Sequence, residues 1–167
     1  MHMADALVSP AVGVTMAAVS VGAIAYSVVK MKKEEDFDEK KVPLMAVSGA
    51  FVFAAQMINF TIPGTGSSGH IGGGILLSAL LGPYPALLTI SAVLLIQCLF
   101  FADGGLLALG CNIFNMGVLP CLFAYPLIFR PIAGIMLSNA CIMAASVAAA
   151  VIGLQAGAFG VVLETSA

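Results

Sequence analysis

Two histidines occur in 167 residues. His2 stands in "MHMADALVSP", the opening of the chain, and His70 in the glycine-rich stretch "NFTIPGTGSSGHIGGG". A free amino terminus followed by histidine is a chelating unit. The amine of Met1 and the amide nitrogen of His2 close a five-membered ring on a metal ion. The amide and Nδ1 of His2 close a six-membered ring. Three nitrogens then lie in one plane, and Nε2 of His70 can supply the fourth. Square-planar nitrogen ligation suits Ni(II) or Cu(II) better than the tetrahedral preference of Zn(II). The amine, with an ordinary pKa near ~7.8, and the amide must both lose a proton, so the site is pH-sensitive. The side chain at position 2 is bulky, so Met1 is expected to survive initiator trimming and to open the mature chain. The alternative reading of His70 is a hydrogen bond to a loop carbonyl, and a second-position His taken alone is more often an accident of sequence.

What must position these residues is a set of membrane helices. The chain is 61% hydrophobic and 8% charged, with mean hydropathy +1.12, against roughly 25% charge in soluble domains. Ten of its fourteen charged residues fall in "KMKKEEDFDEKK", residues 30–41, leaving Asp5, Asp103, Arg130 and Glu164 elsewhere. No water-solvated surface can be built from that. The expected class is an all-α integral membrane protein, a polytopic bundle of about six transmembrane helices with one short. There is no basic patch and no Trp, so nucleic acid is not an expected partner. The lipid bilayer is. No basic n-region or A-x-A-type cleavage site marks a signal peptide.

Runs of about 20 apolar residues predict spans at 10–29, 42–62, 85–101, 111–129 and 132–154, with a short or buried helix at 71–81. Residues 155–167 read as a tail. The whole chain, 1–167, is expected to form one transmembrane domain interrupted by the charged loop 30–41. That loop holds five Lys, so it is expected in the cytoplasm and the N-terminus outside. Counting onward puts residues 1–9, 63–70 and 102–110 outside and 82–84 and 130–131 inside. His2 and His70 thereby fall on one side, in a count that used lysines and not histidines. Asp5, Asn59 and Ser68 are candidates to orient the imidazoles by hydrogen bonds, Asp5 otherwise being a solvated terminus. Asp103 reads as a helix cap, and Asn112 and Asn115 as interhelical hydrogen bonds. Cys98, Cys111, Cys121 and Cys141 lie in or at the ends of apolar runs without a C-x-x-C and read as buried small hydrophobes.

"MHMADALVSP" resembles the "MHI-x-(D/E)-G" opening of the CbiM/NikM family, the substrate-specific membrane component of cobalt and nickel energy-coupling factor transporters. "INFTIPGTGSSGH", "LLGPYPA", "FFADGGLLALGCNIFNMG" and "AYPLIFRP" resemble that family's successive loops and spans. The resemblance covers essentially the whole chain. Position 3 is Met rather than Ile and position 6 Ala rather than Gly. Family members usually continue into a further span and end inside, whereas this sequence stops at "VVLETSA". The resemblance implies capture of Co(II) or Ni(II) outside and release inside, as cargo and not as a cofactor. It implies the ligand set Met1, His2 and His70. It implies a transmembrane coupling protein, two cytoplasmic ATPase subunits and a small accessory membrane subunit, in a prokaryotic cell (inner) membrane. Cobalt and nickel are left joint: four planar nitrogens lean to nickel, and the phrases lean to the cobalt branch tied to cobalamin synthesis.

No enzymatic activity is expected. "GTGSSGHIGGG" lacks the Lys-Ser/Thr of a nucleotide site, so energy must come from a partner ATPase. Small residues at four-residue spacing, Gly13 with Ala17 and Ala18 with Gly22, make a face that helices can approach closely; the resemblance implies that it meets the coupling protein, the alternative being packing inside the bundle. Two other classes compete. An intramembrane metalloenzyme needs an acid or base beside the metal, and Asp5, Asp103 and Glu164 are the acids outside the charged loop. A component for an organic vitamin would not need a free Met1-His2 and would tolerate an N-terminal tag.

Overall fold

The structure, a computed structural model, describes residues 2–33, 41–64, 67–135 and 138–167, and of Ser67 and Ser68 the backbone alone. Met1 and most of the charged segment lie outside the described residues. A single 3-10 turn, Asp5–Leu7, leads into α1, Pro10–Lys33. Then come α2, Lys41–Gln56, and a hairpin of β1, Phe60–Ile62, with β2, Ser67–Gly69. The helices α3, Gly74–Leu81, and α4, Pro83–Phe101, follow. Two further long helices, α5 (Leu109–Ile135) and α6 (Asn139–Ser166), complete the bundle. Four helices are long and apolar enough to cross a membrane, and α2 and α3 are the shorter apolar ones. The architecture is the expected all-α bundle of six helices, one short.

The helix breaks are written in backbone chemistry. Gly73 (φ 83°) and Gly82 (φ 89°) take left-handed dihedrals at the two ends of α3. Pro83 then starts α4, where a missing N–H costs nothing. At 1.5 Å per residue the eight residues of α3 reach about 12 Å, under half the hydrocarbon thickness. α3 therefore sits inside the bundle, with Leu77 and Leu81 in a core that also holds Val52, Leu87, Ile90, Leu94, Met116 and Cys121. Helices close on one another at small residues. A Cβ on Gly110 would run into the backbone of Ala17, and one on Gly117 would lie 2.9 Å from Leu87. Within α5, residues Phe114–Phe129 wind as a wide, π-type helix containing Pro120 and Pro126, two residues that cannot donate to an i→i−4 ladder.

Three predicted boundaries move. The second span does not run to residue 62: α2 ends at Gln56, and 60–62 is strand. The predicted loop 130–131 is helix, because the long apolar helix runs on through it to Ile135 and a single exposed Arg within such a helix marks no loop. The predicted tail 155–167 is helix to Ser166. Its one charged residue, Glu164, is turned inward against Asn115 and is not solvated. Cys111 and Cys121 are buried and Cys98 and Cys141 half-buried, all four as free thiols. The bundle has two distinct ends. At one, Lys30 lies over Tyr26, which meets Tyr84 edge-on. At the other lie the chain start, the hairpin and residues 102–108.

Candidate functional site

Residues 2–8 form a hook over the loop between α4 and α5. Met3 is fully buried with Val8, Ala108 and Cys111. Its N–H donates to Asn112 Oδ1 at 2.9 Å. Its carbonyl accepts from the Gly105 N–H at 2.9 Å and from Asn112 Nδ2 at 3.3 Å. Asp5 accepts from the Ala108 N–H at 3.0 Å through Oδ1. The receiving loop turns through Ala102 (φ 51°) and Gly104 (φ 87°). A Cβ on Gly104 would sit 2.9 Å from Asn112 Nδ2 and 3.2 Å from His2 Cδ2, so this position has room only for hydrogen.

The hook carries His2 into the protein, 4% exposed. Its ring meets that of His70 with centroids 4.6 Å apart and planes tilted by 31°. His2 Nδ1 lies 3.4 Å from Asp103 Oδ1, longer than a hydrogen bond of ordinary strength. Among the described residues neither ring nitrogen of His2 has a hydrogen-bond partner by distance and angle. Asp103 is steadied from its far side, where Asn59 Nδ2 donates to Oδ2 at 3.2 Å.

The His70 loop is fixed from beneath. Gln56 Nε2 donates to the Gly72 carbonyl at 2.7 Å, and Gln97 Nε2 to Gln56 Oε1 at 3.1 Å. Both glutamines are fully buried. His70 Nδ1 lies 2.8 Å from the Ile71 carbonyl. A carbonyl only accepts, so the proton is on Nδ1 and the lone pair on Nε2. Burial, before any other cause, lowers both imidazoles from 6.5 to about 4. Both are neutral at pH 7, the form that binds metals.

The arrangement brings together two of the three predicted ligands, His2 and His70. The third, Met1, lies outside the described residues. Among the predicted orienting residues, Asn59 acts through Asp103 and touches neither imidazole. The Asp5 carboxylate goes to the Ala108 amide, so it anchors the hook and does not orient a ring. The Ser68 side chain lies outside what is described; its backbone pairs with Thr61. Asp103, read as a cap, faces His2 instead, and Asn112, read as an interhelical bond, clamps Met3. Gln56 and Gln97 went unmarked, although buried amides in apolar helices are themselves a signal. Of the small-residue face on α1, Gly13 packs on Leu107 and Ala17 on Gly110. Those two positions are filled from inside the fold, while Ala18 and Gly22 remain exposed. Among the described residues no three His, Cys, Asp or Glu side chains converge, so an ion here would draw on backbone nitrogen as well.

The family described as "Cobalt uptake substrate-specific transmembrane region" matches residues 2–167. "Fused nickel transport protein NikMN" of Rhodobacter capsulatus is 40% identical over 119 residues, which are 71% of this chain and 33% of that protein. A relative from Archaeoglobus fulgidus is 38% identical over 125 residues, 75% of this chain and 40% of its own. The chain thus spans less than half the length of these relatives. A solved structure described as "Crystal Structure of an Truncated Transition metal Transporter" is similar with a TM-score of 0.88 at 34% identity, covering 99% of this chain and 74% of that one.

Proposed function

The chain belongs to the CbiM family of substrate-specific transmembrane proteins, and from that premise we propose that it captures Co(II) or Ni(II) at the outer face of a prokaryotic cell membrane for ATP-driven import. It is a transport protein and not an enzyme. The ligands in this reading are the amine of Met1, the amide nitrogen and Nδ1 of His2, and Nε2 of His70. The observation that carries it is the meeting of the two buried, neutral imidazoles, with the His70 proton held on Nδ1 and its lone pair on Nε2. The ionised amide and the Asp103 carboxylate together offset the two charges of the ion, which a low-dielectric site requires. The Asp103 carboxylate lies 3.4 Å from His2 Nδ1, beside the ligating atom, where its charge faces the ion.

Import needs energy that this chain does not supply. The reading therefore includes a transmembrane coupling protein, two cytoplasmic ATPase subunits and a small accessory membrane subunit. The exposed part of the α1 face, Ala18 and Gly22, is the place on this chain for the coupling protein, with residues 30–41 on the cytoplasmic side.

The test is metal titration of the purified chain with a native N-terminus, beside a chain carrying one extra residue before Met1 and a His70→Ala chain. The extra residue spares every side chain but moves the amine away from His2. The native chain is expected to bind one equivalent of Ni(II) or Co(II) at the terminal site and both variants to lose it. Equal binding by the extended chain would sink the terminal chelate and favour a component for an organic ligand.

A further inference from the structure

A second group of metal-ligating side chains lies apart from the histidines, between α5 and α6. Cys111 and Asn115 stand four residues apart in α5, on one face. Glu164, 7% exposed, comes onto that face from α6. Asn115 Nδ2 donates to Glu164 Oε2 at 2.6 Å, and the fully buried Cys111 thiol lies beside the same carboxyl. Two oxygens here are buried without a hydrogen-bond partner among the described residues: Glu164 Oε1 and Asn115 Oδ1, the latter on a side chain 1% exposed. Both are acceptors. Two orphaned acceptors on buried side chains call for a positive centre, because a buried acceptor without a partner is costly.

The packing of α6 exists to bring this carboxyl in. Its buried stripe, Ala145, Ala149, Gly153 and Gly157, is made of small residues, which lets it lie close against α5. At Gly160 the approach is so near that any Cβ would collide with Asn115 Oδ1. A cavity of about 380 Å³ adjoins the group. It is lined by Asn115, though by neither Cys111 nor Glu164, together with Gly153 and Ile71 to Gly74, the continuation of the His70 loop.

We propose that Glu164, Asn115 and Cys111 form a second binding site for a divalent transition-metal ion, reached from the His70 loop through this cavity. The donors are the carboxylate, the amide oxygen and the thiolate. Binding releases two protons to water, one from the thiol and one from the Glu164 carboxyl, and no group changes oxidation state. Carboxylate and thiolate together carry two negative charges, so a divalent ion makes the site neutral, the condition for stable burial. The thiolate selects a transition metal over Mg(II) or Ca(II). The rival occupant is a proton shared between Glu164 and Asn115, which needs no thiol.

The site is independent of the terminal chelate, and one experiment separates the two. Co(II) alone is titrated into the purified full chain in lipid nanodiscs, following both stoichiometry and the near-ultraviolet thiolate-to-Co(II) charge-transfer band. The native chain is expected to take two equivalents and to show the band. Glu164→Gln and Cys111→Ser are expected to lose the band and weaken the second equivalent ~10-fold or more. They keep the first, which also shows that they fold. His70→Ala is expected to lose the first equivalent and keep the band. One equivalent without a thiolate band, or a band that survives Cys111→Ser, overturns the second site whatever becomes of the first.

Discussion

Replacing Asn112 with Ala tests whether the hook is what makes the site. Asn112 touches neither imidazole by hydrogen bond; it binds the backbone of Met3 from both ends of its amide. Truncation leaves the Met3 carbonyl one partner, the Gly105 N–H. It leaves the Met3 N–H, on a fully buried residue, with none. An orphaned buried donor costs about 1–3 kcal/mol, a factor of roughly 5 to 150 in the equilibrium that docks residues 2–8. Affinity is reduced in proportion to the fraction of chains still docked, so the apparent Kd rises by up to the same factor. Two measurements follow the change: hydrogen exchange across residues 2–8, and Ni(II) affinity by calorimetry. Exchange should quicken and affinity weaken together. Unchanged exchange with unchanged affinity would refute the reasoning, since the clamp would then hold nothing in place.

Other substitutions probe the same construction. Gly104→Ala forces a side chain into a left-handed residue, at about 1–2 kcal/mol, and pushes it against Asn112 and His2; metal titration should show weaker binding, with the bundle's melting temperature little changed. Asp103→Asn keeps the shape but removes the charge beside His2; affinity should fall about tenfold, and an unchanged value would reduce Asp103 to a turn residue. At Gly153 a Cβ would meet Ala124 at 3.4 Å and Pro120 at 3.6 Å. Gly153→Ala should therefore be tolerated, while Gly153→Leu wedges α6 from α5 and lowers the thermal midpoint.

The bundle was legible because a bilayer makes composition speak. Apolar runs of span length, broken by "GPYP" and "PGTGSSGHIGGG", placed all six helices. Their ends were less legible, for one physical reason. Charge and proline were read as marks of loops, yet Arg130 and Pro131 lie within a helix and Glu164 lies near a helix end. In water an isolated charge in an apolar run is a boundary. In a membrane helix it can stay within the helix, as the exposed Arg130 does, or be buried against a partner on another helix, as Glu164 is against Asn115.

The site divides in the same way. The histidine pair was legible from counting alone, since one even-handed alternation of spans set 1–9, 63–70 and 102–110 on one face. The structure groups the same three segments: His2 on His70, Asp103 beside His2, the Gly105 N–H on the Met3 carbonyl and the Ala108 N–H on Asp5. What the counting missed are the groups that hold the histidines rather than join them. Asp103, Asn112, Gln56 and Gln97 act across sequence separations that no local spacing encodes, and three of them are neutral amides that a search for ligands passes over. Burial supplies the missing rule. A buried amide in an apolar helix must have a partner, so each such residue points to backbone that is being held. Here Gln56 holds Gly72, two residues from His70, and Asn112 holds Met3, one residue from His2. Each imidazole is thus aimed through the backbone next to it, which is why the hook needs no long-range ion pair to stay in place.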